Sequence, residues 1–135
     1  MTTPDAILEK VCRATDILVK AGDAYGGLFP SVLDLKTHEM LLELPPAIEG
    51  QRTPDRARRG SNLIHDQTVL HAMYGLSSAM DRGDYADAAD RYLERFSTHC
   101  VDTVTGLFPW GEHAFWILDE DRVGSGHFLS SPSWK

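Results

Sequence analysis

The chain has 135 residues, 42% of them hydrophobic, which is enough for one ordinary globular core. Its 13 Lys and Arg against 20 Asp and Glu leave a formal net charge of -7. That balance excludes nucleic acid as a general partner, because phosphate binding needs a basic footprint.

The opening "MTTPDAILEK" has neither a basic n-region nor an apolar h-region, and no apolar run approaches the roughly 18 residues of a membrane span. Cys12 and Cys100 are too few for a disulfide framework and read as reduced, buried residues. These features read as a cytoplasmic protein with no membrane partner. The first helix is announced by Thr3 as cap, Pro4 in the first turn and Asp5 at the positive end of the dipole. Ile7, Leu8, Val11, Ala14, Leu18 and Ala21 recur at helical spacing, and Gly22 supplies the stop.

Then comes "DAYGGLFP", at 23–30, which returns as "DTVTGLFP" at 102–109. For chance to write Asp-x-x-x-Gly-Leu-Phe-Pro twice in so short a chain, the odds are on the order of one in a hundred. The pattern is therefore an internal repeat. Its Asp can bond turn N–H groups, its Gly frees the backbone, Leu-Phe plugs the core, and Pro forbids further helix.

"SVLDLKTHEMLLELPP" partly alternates around the polar turn Lys36–Glu39 and predicts a short β-hairpin ended by Pro45-Pro46. A helix carrying Leu33, Thr37, Met40 and Leu44 on one face competes with it. "AIEGQRTPDRARRG" has no apolar period and is a loop. The second helix, capped by Ser61 or Asn62 and closed by Gly83, is apolar nearly all round between Leu63 and Met80, which predicts an inner helix. The third, "DYADAADRYLERFSTHC", is one-sided: Tyr85, Ala88, Ala89, Tyr92, Leu93, Phe96 and Cys100 form a stripe opposite a charged face. The fold class is mainly α, with a short β-hairpin.

The stretch "RGSNLIHDQTVLHAMYGLSSAMDRGDYADAADRYLERFSTHCVDTVTGLFPWGEHAFW" resembles the six-hairpin (α/α) toroid enzymes that act on carbohydrates. The resemblance runs from about Asp23 to Asp121 and is strongest from Gly60 to Trp116. It implies antiparallel helical hairpins of an incomplete (α/α) toroid. Residues 1–135 would form a single helical domain, the N-terminal part of a larger enzyme or a reduced relative. It also implies a carbohydrate substrate and an enzyme that is a glycoside hydrolase, a polysaccharide lyase or a sugar epimerase, among which fold does not choose.

In such a toroid both Gly-Leu-Phe-Pro stretches open on one rim, which gathers Asn62, His65 and Asp66 near Trp110, Glu112, His113 and Trp116. Hydrolysis needs two carboxyl groups, for which Asp66 and Glu112 are the pair. A lyase or epimerase needs a base, for which His65 or His113 would serve. Asn62 lies at a helix N-terminus, whose free N–H groups suit hydroxyl-rich or anionic ligands. Trp110 and Trp116 offer flat faces to sugar rings.

Arg58 and Arg59, in the loop that also carries Arg52 and Arg56, could hold the carboxylates of a uronic-acid polymer through bidentate pairing. Each reading has a structural counterpart: a first-turn carboxylate favoured by the helix dipole, a core tryptophan, or a solvated arginine loop. No metal spacing, phosphate loop or nucleophile elbow is present, and no cofactor is expected. The competing reading is a non-catalytic helical-repeat module, self-associating or completed by a missing C-terminal remainder, because the second helix has more apolar surface than this chain covers.

Overall fold

The computed structural model describes residues 3–43, 49, 59–109 and 114–124. Helix α1 spans Pro4–Asp23, and its cap is the expected one: Thr3 Oγ1 accepts from the Ala6 N–H at 3.3 Å. Its buried face differs from the expected stripe. Ile7, Leu8 and Val11 are exposed, and Cys12, Thr15 and Gly22 turn inward. The reason lies across the interface, where specific bonds fix the rotation of the helix. Tyr85 Oη donates to Asp16 Oδ1 at 2.7 Å, and Cys12 Sγ lies 3.3 Å from Met80 Sδ. The Thr15 hydroxyl, buried by this rotation, donates back to the Val11 carbonyl at 2.9 Å and so costs little.

After the first Gly-Leu-Phe-Pro, the expected hairpin is reduced to one antiparallel bridge, Leu33 to Met40, around the turn at Lys36–Glu39. The competing helix is not formed. Asp34 decides the matter locally, because its Oδ1 accepts the Lys36 and Thr37 N–H groups at 2.7 and 2.8 Å. The expected stop at Pro45-Pro46 lies outside the described residues.

Strand β1 is Gly60–Ser61, and helix α2 follows at Leu63–Met80. Helix α2 packs along α3, Asp84–Thr98, burying Leu70, Met73 and Leu76. It is not an inner helix among the described residues, because its Ile64 and Tyr74 are exposed. The sequence reads its all-round apolar character correctly, but α3 covers only one of its faces. Helix α3 keeps nearly the whole expected stripe: Tyr85, Ala88, Ala89, Tyr92, Phe96 and Cys100 are buried and Leu93 alone is left half-open.

Strands β2, Phe115–Ile117, and β3, Arg122–Gly124, complete a three-stranded antiparallel sheet in the order β1-β2-β3. Gly60 pairs with Ile117, and Ser61 with Trp116. This sheet is absent from the sequence expectation. Its strands are two or three residues long, too short for a period-2 pattern to register.

Candidate functional site

Strand β1 is the meeting point of the two repeats. Ser31, just beyond the first copy, donates its N–H to the Gly60 carbonyl at 2.9 Å, and β2, beyond the second copy, pairs with Gly60 and Ser61. The start of α2 is thus held between the two segments, as the sequence reading requires. Asn62 is the cap. It is fully buried, and its Oδ1 accepts the Ile64 N–H at 3.1 Å. His65 and Asp66 follow in the first turn, their N–H groups bonded to the Asn62 carbonyl at 3.1 and 3.0 Å.

The two side chains differ. His65 is exposed on the outer side of the turn. Asp66 points inward, where its Oδ2 accepts from Tyr92 Oη at 2.6 Å and from Ser61 Oγ at 3.1 Å. Ser61 Oγ and Tyr92 Oη are themselves 2.9 Å apart. Burial pushes the Asp66 carboxyl above its ordinary range, and the bonds from Tyr92, Ser61 and the Asn62 backbone offset only part of that. Burial, with the Asp66 charge beside it, likewise pushes the Tyr92 phenol far up, so it remains a donor throughout. The site therefore holds one exposed imidazole and one sequestered carboxyl on a helix N-terminus.

Trp116 follows the core alternative rather than the sugar platform. It is 2% exposed, with its indole N–H donated to Asp121 Oδ1 at 2.9 Å and the His99 ring against it at 5.3 Å. No face is left open for a sugar to stack on, because the residue sits mid-strand in β2 and turns into the core. Arg59 is also not a free cation. Its Nη2 lies 2.9 Å from Asp119 and 2.6 Å from Glu120, so the β2–β3 turn already supplies the carboxylates a uronate would bring. Arg58, Trp110, Glu112 and His113 lie outside the described residues. Among the described residues, no group of three His, Cys, Asp or Glu side chains converges as metal ligands would.

A family model described as periplasmic pectate lyase matches residues 46–127, more than half of the chain. The chain belongs to that family. No curated protein and no solved structure matches it. The match takes in the arginine loop, β1, all of α2 and α3, the second repeat copy and the β2–β3 hairpin. It establishes a polysaccharide-cleaving family, and with it a polysaccharide substrate.

It also overturns the cytoplasmic reading, because the family is a periplasmic one. That reading leaned on the lack of a leader in the first ten residues, and an absence of this kind does not report the compartment. The cysteines are compatible with the correction. Both are free and buried, and burial pushes the Cys100 thiol up to about 12, which leaves it inert in an oxidising space.

Sequence reasoning missed Ser61 and Tyr92 as members of the site. A signal was present: Tyr92 lies in the middle of an apolar stripe, where its hydroxyl must find a partner.

Proposed function

We propose that this chain acts as part of a polysaccharide lyase, cleaving uronic-acid chains of the pectate type by β-elimination. The family match over residues 46–127 carries the reading. Elimination needs a base to take the proton beside the sugar carboxylate and an acid to protonate the departing glycosidic oxygen. His65, exposed at the rim, is suited to the first task, with His113 as the other candidate base. Asp66 is suited to the second, because burial favours its protonated form, and Glu112 is its partner candidate. Arg58 is the candidate for the substrate carboxylate, with Asn62 at the helix start and Trp110 beside the second repeat as the remaining binding residues.

The exposed Ile64 and Tyr74 of α2 and Leu107 of the second repeat support a further part of the proposal. Residues 1–135 form one helical domain that further helical hairpins complete into an (α/α) ring. Self-association through the same surface is the competing outcome, and sedimentation of the purified chain distinguishes the two.

Incubation with polygalacturonate tests the chemistry. An elimination generates an unsaturated uronide with new near-ultraviolet absorbance, whereas a hydrolase releases reducing ends without it. His65→Gln and Asp66→Asn are each expected to lower the rate by about 100-fold or more. Unchanged rates in both variants would remove these residues from the mechanism.

A further inference from the structure

The proton count at Asp66 is informative. Three oxygens, Asp66 Oδ2, Tyr92 Oη and Ser61 Oγ, lie mutually within hydrogen-bond reach, and when Asp66 is ionised the two hydroxyls bring the only two protons among them. The shortest contact runs from the Tyr92 hydroxyl to Asp66 Oδ2 at 2.6 Å. That bond takes the Tyr92 proton. The Ser61 hydroxyl then lies within reach of two acceptors, Asp66 Oδ2 at 3.1 Å and Tyr92 Oη at 2.9 Å. The result is a bonded triad in which Tyr92 makes the shorter contact to Asp66 and Ser61 the longer one. It joins strand β1, helix α3 and the first turn of α2.

We infer that Tyr92 is a positioning residue, whose hydroxyl fixes the Asp66 carboxyl in place at the first turn of α2. Its ring is held for the purpose. Phe29 packs against it at 4.9 Å and Phe96 stacks on it at 5.7 Å, which limits the freedom of the hydroxyl to leave Asp66. The groups facing Asp66 are His65 on its own helix, Ser61 of β1, the Asn62 N–H and Tyr92 of α3. Cys100 is the titratable group facing Tyr92 from behind. Of these, only Tyr92 and Ser61 can lose their donor with little change of shape. Use of the triad in proton delivery to a departing sugar rests on the lyase reading; the triad itself does not.

Tyr92→Phe is the test, because Phe keeps the aromatic packing and deletes one hydroxyl. A donor to the ionised carboxylate is lost, so the proton is held more tightly. Carboxyl carbon resonances of the 135-residue chain, followed through a pH titration, should show the Asp66 midpoint rising by about one pH unit. Ser61→Ala removes the longer of the two side-chain contacts to the carboxyl and should raise it by less. It also serves as the second probe if Tyr92→Phe does not fold.

In the active protein, the limb of the pH–rate profile that reports Asp66 should move upward by the same amount with KM unchanged. A midpoint that stays put in both variants would overturn the inference. A midpoint that moves while the pH–rate limb does not would keep the tie and remove Asp66 from the chemistry. That outcome sinks the acid role assigned to Asp66 and spares the positioning one.

Discussion

The two copies of Asp-x-x-x-Gly-Leu-Phe-Pro share a left-handed glycine before Leu-Phe-Pro and meet different fates. Gly27 and Gly106 both take positive φ, 97° and 69°, and both copies lead the chain out of a helix toward β1 or its partner strand. Both phenylalanines reach the same aromatic ladder on α3, Phe29 against Tyr92 at 4.9 Å and Phe108 edge-on to Phe96 at 5.8 Å. Burial then diverges. Leu28 and Phe29 are 1% exposed, whereas Leu107 is 71% and Phe108 38% exposed. The first turn leans on Arg91, Tyr92 and Arg95 of α3, while no described residue closes on Gly106. The motif writes the turn, and the neighbour decides whether the turn becomes core.

The strongest way to break this comparison is to truncate both phenylalanines. Phe29→Ala is expected to cost about 3–5 kcal/mol, the range for a fully enclosed ring, because Tyr92, Phe96 and Gly22 cannot collapse into the space together. Phe108→Ala should cost about 1 kcal/mol, since solvent already reaches one side of the ring. Denaturant unfolding of the two variants measures both. Equal losses would mean that the second copy is as enclosed as the first.

A single position preceding each copy sharpens the contrast. Gly22 lets Phe29 fold back over the end of α1: a Cβ there would lie 3.0 Å from Phe29 Cδ1 and 3.2 Å from the Leu28 carbonyl oxygen. In the second copy the same place is Val101, and Phe108 stays outward. Gly22→Val should therefore push Phe29 off the helix end at a cost of about 1–3 kcal/mol, the range for overpacking. Val101→Gly should change stability by less than about 1 kcal/mol. Fluorescence-monitored unfolding of each variant beside the wild type would report the difference.

Much of this was legible in the residues, and what was not has physical causes. The caps at Thr3 and Asn62, the stripe on α3 and the repeat itself are local signals, and each appears where the sequence places it. Long-range terms escaped. The face that α1 buries depends on Tyr85, distant in sequence, and the exposure of α2 depends on how many partners surround it.

At the candidate site, the helix start that carries His65 and Asp66 is readable in the residues, and it lies directly after β1. Trp116 and Arg59 stayed open between a binding and a structural reading because an aromatic or a cation looks alike in sequence whether it is free or already paired, and the structure pairs both. Tyr92 was assigned to packing alone, although its ring packs and its hydroxyl bonds Asp66.

The glycines provide the control in which the copies should agree. Left-handed backbone costs an ordinary residue roughly 1–2 kcal/mol, regardless of what surrounds it. Gly27→Ala and Gly106→Ala should therefore lose about that much each, with Gly27 at the upper end because its φ of 97° lies beyond the usual left-handed well. If only Gly27→Ala were destabilising, the second turn would owe its shape to something other than its sequence.

The smallest expected effect is a difference of sign. Each copy leads to a carboxylate bound by an aromatic donor, Asp66 by Tyr92 and Asp121 by Trp116. Burial dominates at Asp66 and raises its pKa, so the stability it contributes is present below about pH 4 and lost as pH rises through the folded-state value. At Asp121 burial also pushes upward, but the bonds from Trp116 and His99, with the Arg95 charge, outweigh it and hold the carboxyl low. Its contribution is therefore present above about pH 4 and lost as pH falls further.

Asp66→Asn should flatten the decline on the alkaline side of that point, and Asp121→Asn the decline on the acid side. Asp121 is half exposed, so solvent screening keeps its effect below about 1 kcal/mol. Unfolding free energies between pH 3 and pH 7 for the wild type and both variants would resolve the signs. Slopes of the same sign at both positions would mean that the aromatic donors hold the two carboxyls in equivalent surroundings, which the burial of Asp66 and the exposure of Asp121 oppose.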